Sequence, residues 1–382
     1  MALTEKGMAA LGQIQIYFPT GPFSASDLSA ASGEKIYAAT LNAIVNNGYL
    51  VKLGGSPVQY QAVPNLMELM ENTENATKTG CDNENLRSAK AEKNDEFYTR
   101  YEDIEAEVMK YRKQFRGKVV YLPCDDPAEK KSEFWSFFVN NFDAFGLKKL
   151  IATHYDENGK AYKIWIDADT SGDGYIDDSD AMQEDLNGNG DFRSPECIAI
   201  LEECDIVCTN PPFSLFREFV DLLVTHNKQY LIIGNKNAYT YRDIFRLLMN
   251  NKVWIGYEQP KDFRLEDGST TTKVNGLCRW FTNMQCARRF EDLVLTKKYA
   301  DNPEAYPKYD NYDAIEVSRV VNIPCDYDGV MGVPVTFIDK YNPDQFEILG
   351  DSRYHDGSEV ANDINFINGK GLYRRVLIRR KK

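Results

Sequence analysis

The sequence predicts an α/β protein: a doubly wound, mainly parallel sheet, preceded by a small winged-helix-like domain and followed by a β-rich region. Three observations carry this. Between residues 118 and 250, apolar runs of strand character (118–122, 147–153, 205–208, 229–234) alternate with stretches of helical spacing, the pattern of strands joined by helical crossovers. Residues 1–67 read instead as three helices and a hairpin, and after Val253 strand-like runs follow one another. A chain of 382 residues, 43% hydrophobic and 12% aromatic, is folded and exceeds one ordinary core.

Composition excludes some classes. No stretch approaches the roughly 20 apolar residues of a membrane span, and the start MALTEKGMAALGQ has no basic region followed by an apolar run, so a cytoplasmic protein without membrane contact is expected. Eight scattered cysteines without a C-x-x-C pair read as reduced and mostly buried. A net charge of −13 sits awkwardly with a nucleic-acid partner, but it is segregated. Residues 154–194 hold eleven acids against three bases, whereas residues 370–382 hold seven bases and no acid, which allows a basic face.

In order, the first domain opens with an amphipathic helix (Leu3, Met8, Leu11, Ile14, Tyr17) that Pro19 and Pro22 break. A short helix capped at Ser24 or Ser26 follows, then a helix over 34–47 stopped by Asn47-Gly48, then a hairpin around Gly54-Gly55. This order resembles a winged helix-turn-helix. Its third helix carries one lysine, Lys35, against Glu34, so a protein-interaction or dimerising wing is as good a reading as base readout. Residues 68–93, polar and Asn- and Glu-rich, read as a linker to a core over 94–252.

That core begins with Phe97, Tyr98 and Thr99, just before a helix over 103–115; ligand contact and an N-cap both suit the position. The strand at 118–122 runs into Pro123-Cys124-Asp125-Asp126-Pro127. Carboxylates at a strand's carboxyl end suit a ligand with an amine and ribose hydroxyls, although the residues alone read equally as a polar turn. The aromatic stripe of 132–145 reads as core, and His154 has no catalytic partner spaced around it. Asp169, Ser171, Asp173 and Asp180 follow the spacing of a calcium loop with Gly174 at its sixth position, and 185–196 repeats it; the strand-like run before the first loop speaks against an EF-hand.

The stretch 205–219, DIVCTNPPFSLFREF, reads as strand, stiff turn and helix. Asn210 offers a side-chain carbonyl, Pro211 a backbone carbonyl with no N–H, and Phe213 a flat apolar face. An amino group on a planar ring would satisfy all three, while the bland alternative is an ordinary Asn-Pro turn.

These residues resemble the (N/D/S)-P-P-(Y/F) motif of amino-methyltransferases that use S-adenosylmethionine. With NDEFYTRYEDI at Asn94, VVYLPCDDP at Val119 and GDFRSPE at Gly190, the chain from Asn94 onward is similar to the EcoRI-type adenine-specific DNA methyltransferases. The resemblance implies a Rossmann-like core, S-adenosylmethionine as cofactor and double-stranded DNA as partner, and leaves open a cognate restriction endonuclease. It assigns Phe97, Tyr98 and Thr99 to the cofactor's methionine end and Pro123, Cys124, Asp125 and Asp126 to a cofactor loop. Asp191 would accept from the cofactor's adenine amino group and Phe192 pack on its ring, a reading that competes with the second calcium loop. Asn210, Pro211, Pro212 and Phe213 become the catalytic turn, with Asn210 also touching the cofactor. Lys273, Asn275, Arg279 and Trp280 would lie near a flipped base, with core as the alternative for Trp280. Recognition of the DNA sequence is expected from residues 253–382. Two rivals are a methyltransferase acting on RNA or a protein amide, and a non-enzymatic winged-helix DNA-binding regulator.

Overall fold

The computed structural model describes residues 10, 14, 22–32, 35–46, 50–55, 57–62, 98–125, 133–156, 160–265, 269–271, 276–310, 312–352, 354–355, 358–359 and 366–381. The chain divides into two compact units, Met1–Glu92 and Lys93–Lys382.

In the first unit, α1 (Ala25–Ser32) and α2 (Ala38–Asn46) precede β1 (Leu50–Gly54) and β2 (Gln59–Ala62), an antiparallel hairpin turning at Gly55, φ +98°. Ser24 caps α1 reciprocally: its N–H donates to Asp27 Oδ2 at 2.8 Å and its Oγ accepts from the Asp27 N–H at 3.3 Å. Phe23, Leu28, Leu41, Ile44, Leu50 and Tyr60 form a small core with Ala10 and Ile14. Leu3, Met8, Leu11 and Tyr17, and the expected linker, lie outside the described residues.

The second unit begins with β3 (Tyr98–Thr99), α3 (Tyr101–Val108), β4 (Val119–Leu122), α4 (Phe134–Asn140), α5 (Phe142–Phe145) and β5 (Lys149–His154). β6 (Tyr162–Ile166), β7 (Met182–Asp185), α6 (Pro195–Glu203), β8 (Ile206–Thr209), α7 (Phe216–Thr225), β9 (Gln229–Asn235) and α8 (Arg242–Met249) follow. Then come β10 (Trp254–Ile255), β11 (Phe263–Arg264), β12 (Thr270–Thr271) and β13 (Cys278–Thr282). Eight strands form one sheet in the order β10-β13-β9-β8-β4-β5-β6-β7.

Strand alternation divides its faces. On β4, Val119 and Tyr121 pack with α6, α7 and α8, whereas Val120 and Leu122 pack with α3, α4 and α5. The four central strands are parallel, but β6, β7, β10 and β13 pair antiparallel, so the sheet is mixed rather than mainly parallel. The link from β5 to β6 is too short for the helical crossover that a parallel pair requires.

The C-terminal strands are β14 (Ala314–Glu316), β15 (Val330–Pro334), β16 (Phe346–Asp351), β17 (Tyr354–His355), β18 (Ser358–Glu359), β19 (Phe366–Ile367), β20 (Lys370–Gly371) and β21 (Arg375–Arg380). Six of them make a second sheet, β14-β15-β21-β16-β17-β18, and β19 pairs with β20. Ile315, Met331, Phe346 and Ile378 join the same hydrophobic core as α7 and α8, so this region is built onto the central sheet's helical face. Not every strand-like run after Val253 becomes a strand: Ala287–Phe290 is a 3-10 turn followed by a single bridge at Lys297, and after Pro334 the run VTFIDK winds into 3-10 turns.

Because β21 is an interior strand, the basic tail is drawn inward. Arg375 forks onto buried Glu316 at 2.8 and 2.9 Å, Arg374 pairs with buried Asp351, and Arg380 donates to the Cys325 carbonyl. Those three arginines therefore do not form the open basic face that the sequence allowed.

Candidate active site

The site is set by a reversal in the sheet. β4 leaves over the α4–α5 face toward β5, and its neighbour β8 leaves over the opposite, α7 face toward β9. Adjacent parallel strands that depart to opposite sides leave a crevice outside their carboxyl ends, where α/β proteins bind ligands. Here the two tips are joined: the Thr209 hydroxyl donates to Asp125 Oδ2 at 2.6 Å, both residues being buried. Next to them Tyr121 Oη lies 3.0 Å from Thr153 Oγ1, which donates to the Pro123 carbonyl at 3.3 Å and holds the start of the β4 loop. Burial, and then the Asp125 carboxylate, push the Cys124 thiol well above its ordinary range, so it stays a neutral thiol.

The Asn-Pro-Pro-Phe turn leaves β8 directly. Asn210 is half-buried with its Oδ1 out of solvent, Pro211 is buried, and Pro212 and Phe213 are half-buried. The Leu215 N–H closes on the Pro212 carbonyl at 3.0 Å, so Phe213–Leu215 makes one 3-10 turn before α7. The ring of Phe213 packs against the α3–α4 side of the core. Phe216, opening α7, lies on Gly234 of β9; a Cβ there would run into the ring, so glycine lets the helix seat close beneath the turn.

The Gly190-Asp191-Phe192 segment is brought to the tip of β5. The Asp156 N–H donates to the Asn189 carbonyl at 3.0 Å, and Gly190, at φ +77°, leaves no room for a Cβ beside the His154 carbonyl. The Asp191 carboxylate accepts from the Arg193 N–H, Nε and Nη2 at 2.8, 2.9 and 2.7 Å, chiefly the guanidinium hydrogen bond holding it below its usual range. Phe192 is buried, edge-on to Phe219 at 5.0 Å with the Arg193 guanidinium over its ring.

The calcium-like spacing resolves into self-capped turns. Asp169 accepts from the Gly172 and Gly174 N–H groups, and Asp180 from those of Thr170, Ser171 and Asp177. Glu196 likewise accepts from the Asn187 and Gly188 N–H groups. Among the described residues no three His, Cys, Asp or Glu side chains are grouped to hold a metal ion.

Of the other expected residues, Phe97, Asp126, Lys273 and Asn275 lie outside the described residues. Tyr98 and Thr99 form β3, which pairs with β11 in the small sheet β12-β11-β3. Thr99 is 1% exposed, and its Oγ1 has no hydrogen-bond partner among the described residues. Arg279, expected near the base, forks onto Asp339, both bonds 2.9 Å, and Asp339 also accepts from the Tyr239 hydroxyl at 2.5 Å. Trp280, expected beside the base, is sealed in the core edge-on to Phe134 at 5.9 Å, because β13 is an interior strand. Thr209 was missed by the sequence reading; its only signal was its place immediately before Asn210.

An acceptor-rich Asn-Pro-Pro-Phe turn at a parallel strand's tip, tied to a buried carboxylate across the point where the sheet reverses, fits the class its motif resembles, the amino-directed methyltransferases built on an α/β sheet. The chain belongs to the family described as "Adenine-specific methyltransferase EcoRI", whose model matches residues 85–381. It is similar to the Type II methyltransferase M.EcoRI of Escherichia coli, 42% identical over 327 residues that cover 78% of this chain and 97% of that protein. It is also similar to M.MgeORF184P of Mycoplasma genitalium (39% identical, covering 77% and 98%) and M.MpnI of Mycoplasma pneumoniae (38%, covering 77% and 97%), both Type II methyltransferases. No solved structure matches the chain significantly. It is thus a DNA adenine methyltransferase, and the non-enzymatic regulator reading falls.

Proposed function

We propose that this enzyme transfers a methyl group from S-adenosylmethionine to N6 of an adenine extruded from double-stranded DNA. The observation that carries the reading is the Thr209–Asp125 bond, which sets the Asn-Pro-Pro-Phe turn against the β4 loop. Extrusion is required because the amino group cannot be reached inside the stack, and it costs a few kcal/mol. Phe213 stacks on the extruded ring. The Asn210 side-chain oxygen and the Pro211 carbonyl accept the two N6 hydrogens and draw the nitrogen lone pair out of conjugation. Pro212 keeps the turn stiff, so that the acceptors are in position before the base arrives.

S-adenosylmethionine supplies an electrophilic methyl on a sulfonium. The polar groups suit it: Asp125 is a buried carboxylate for an amine or ribose hydroxyls, and Thr99 holds a buried hydroxyl without a partner among the described residues. Phe97 and Tyr98 complete the methionine end, and Pro123, Cys124 and Asp126 the β4 loop. Asp191 and Phe192 serve the cofactor's adenine, Asp191 keeping a lone pair beside Arg193. No nucleophile is needed, in keeping with thiols whose burial holds them protonated.

Lys273 and Asn275 are assigned to the target base, while the Arg279 guanidinium is engaged by Asp339 and Trp280 is buried in the core. The units divide as 1–67, a linker 68–93, a catalytic core 94–252 and a recognition region 253–382. Helices followed by a hairpin make residues 1–67 a winged-helix-like module, for DNA or for a protein partner such as a cognate endonuclease. A cytoplasmic location suits its DNA substrate and free thiols; among the described residues no helix is long and apolar enough to cross a membrane.

Asn210→Ala tests the scheme. Cofactor affinity should stay within about threefold while tritium transfer to DNA falls by about 10²–10³ or more. Activity retained on DNA, or transferred instead to RNA or protein acceptors, counts against it.

A further inference from the structure

Helix α3 carries two acids one turn apart, Asp103 and Glu107, that reach toward the same length of chain. Glu107 is fully buried. Its Oε1 accepts from the Tyr257 N–H and the Tyr111 hydroxyl, both at 2.9 Å, and its Oε2 from the Glu258 N–H at 2.5 Å. Asp103 Oδ2 accepts from the N–H groups of Lys261 and Asp262 at 3.0 and 3.3 Å. Ion pairs flank these bonds, Lys110–Glu258 at 3.0 Å and Arg100–Asp262 at 3.4 Å. From the other side Arg288 donates to the carbonyls of Gly256 and Tyr257, and a Cβ on Gly256 would run into Glu107. The next residues are β11, whose pairing partner is β3 with Thr99.

We propose that Asp103 and Glu107 act as a carboxylate clamp that holds chain 256–262 along α3, and thereby fixes the β3-β11-β12 sheet that presents Thr99 to the cofactor. This rests on the reading that β3 contacts the cofactor. Glu107 touches no reacting atom; it is a positioning residue.

The clamp needs the ionised acid, because both oxygens accept N–H groups and a proton on Oε2 would meet the Glu258 N–H. Burial lifts the Glu107 carboxyl to about 7, opposed by the Tyr257, Glu258 and Tyr111 donors. Around it, Cys208 of β8 and Cys286 are neutral thiols, Tyr111 and Tyr257 are protonated, and the carboxylate of Glu258 faces Lys110. Raised above its ordinary range, the group favours the folded chain with its proton on, a contribution lost as pH climbs toward 7. The clamp has the opposite sign and tightens as pH rises through that value.

Glu107→Gln imitates the protonated acid, since an amide nitrogen then faces one of the two N–H groups. Calorimetry with S-adenosylhomocysteine at pH 6 and pH 8 reads the effect. Wild-type affinity should strengthen about 5–10-fold between the two, the worth of one hydrogen bond. E107Q should show the weaker value at both, with kcat at saturating cofactor within about threefold. E107Q binding like wild type at pH 8 overturns the clamp. Thr99→Val separates the premises. If T99V weakens binding and E107Q does not, the clamp alone fails; if neither does, the placement of β3 at the cofactor fails with it.

Discussion

Two buried hydroxyls in the catalytic unit are treated in opposite ways. Thr209 donates to Asp125 at 2.6 Å and joins the tips of two strands, whereas Thr99, as deeply buried, has no hydrogen-bond partner among the described residues. A hydrogen bond to a buried charge stabilises by about 1.5–3 kcal/mol, and an unmet buried polar group costs about 1–3 kcal/mol. On the proposed placement of β3 at the cofactor, the difference separates the part of the site that folding alone finishes from the part that a ligand would complete. The strand tips are preformed; β3 holds a polar group that no described residue satisfies.

The largest effect should come from disturbing the preformed side through its backbone. Gly190→Ala must move either the loop or the His154 carbonyl, and places alanine at φ +77°. A loss of about 2–4 kcal/mol is expected in chemical denaturation, with weaker cofactor binding. Destabilisation below about 0.5 kcal/mol would mean that this approach of backbone to backbone is not a constraint.

Thr209→Val keeps the shape and removes the donor. The Asp125 carboxylate loses that partner inside the protein, so stability should fall by about 1–3 kcal/mol and kcat by tenfold or more, with Thr209→Ser restoring both. A variant that is destabilised but turns over normally would make the bond purely structural and blur the contrast with Thr99.

What the residues announced in advance follows the range of the forces involved. The turn at Asn210–Phe213 was legible because two prolines fix backbone angles locally, and Ser24 was legible as a cap because its partner, the Asp27 N–H, lies three residues away. The Thr209–Asp125 bond spans 84 positions, and no local pattern encodes it. The basic tail misled for the same reason: arginines written as a run find Glu316 and Asp351 only once β21 is inserted between β15 and β16. Trp280 shows the other limit, since a strand's neighbours, and so its burial, are decided by topology rather than by its own alternation.

The smallest expected effect is also the sharpest, because its sign is reversed. Thr99→Val replaces an unpartnered buried hydroxyl with a methyl group of nearly the same volume. The ligand-free protein should therefore gain about 1 kcal/mol, since nothing is lost but the penalty of holding that hydroxyl out of water. In the same variant S-adenosylhomocysteine should bind about 5–10-fold more weakly, the loss of one hydrogen bond. Thermal melts with and without ligand measure both in one preparation. Were Thr99 merely a packing residue, stability would rise and affinity stay put; were its hydroxyl satisfied by water, stability would fall. Only a hydroxyl kept unpaired for a ligand moves the two quantities in opposite directions, in the strand that Glu107 and Asp103 hold in place.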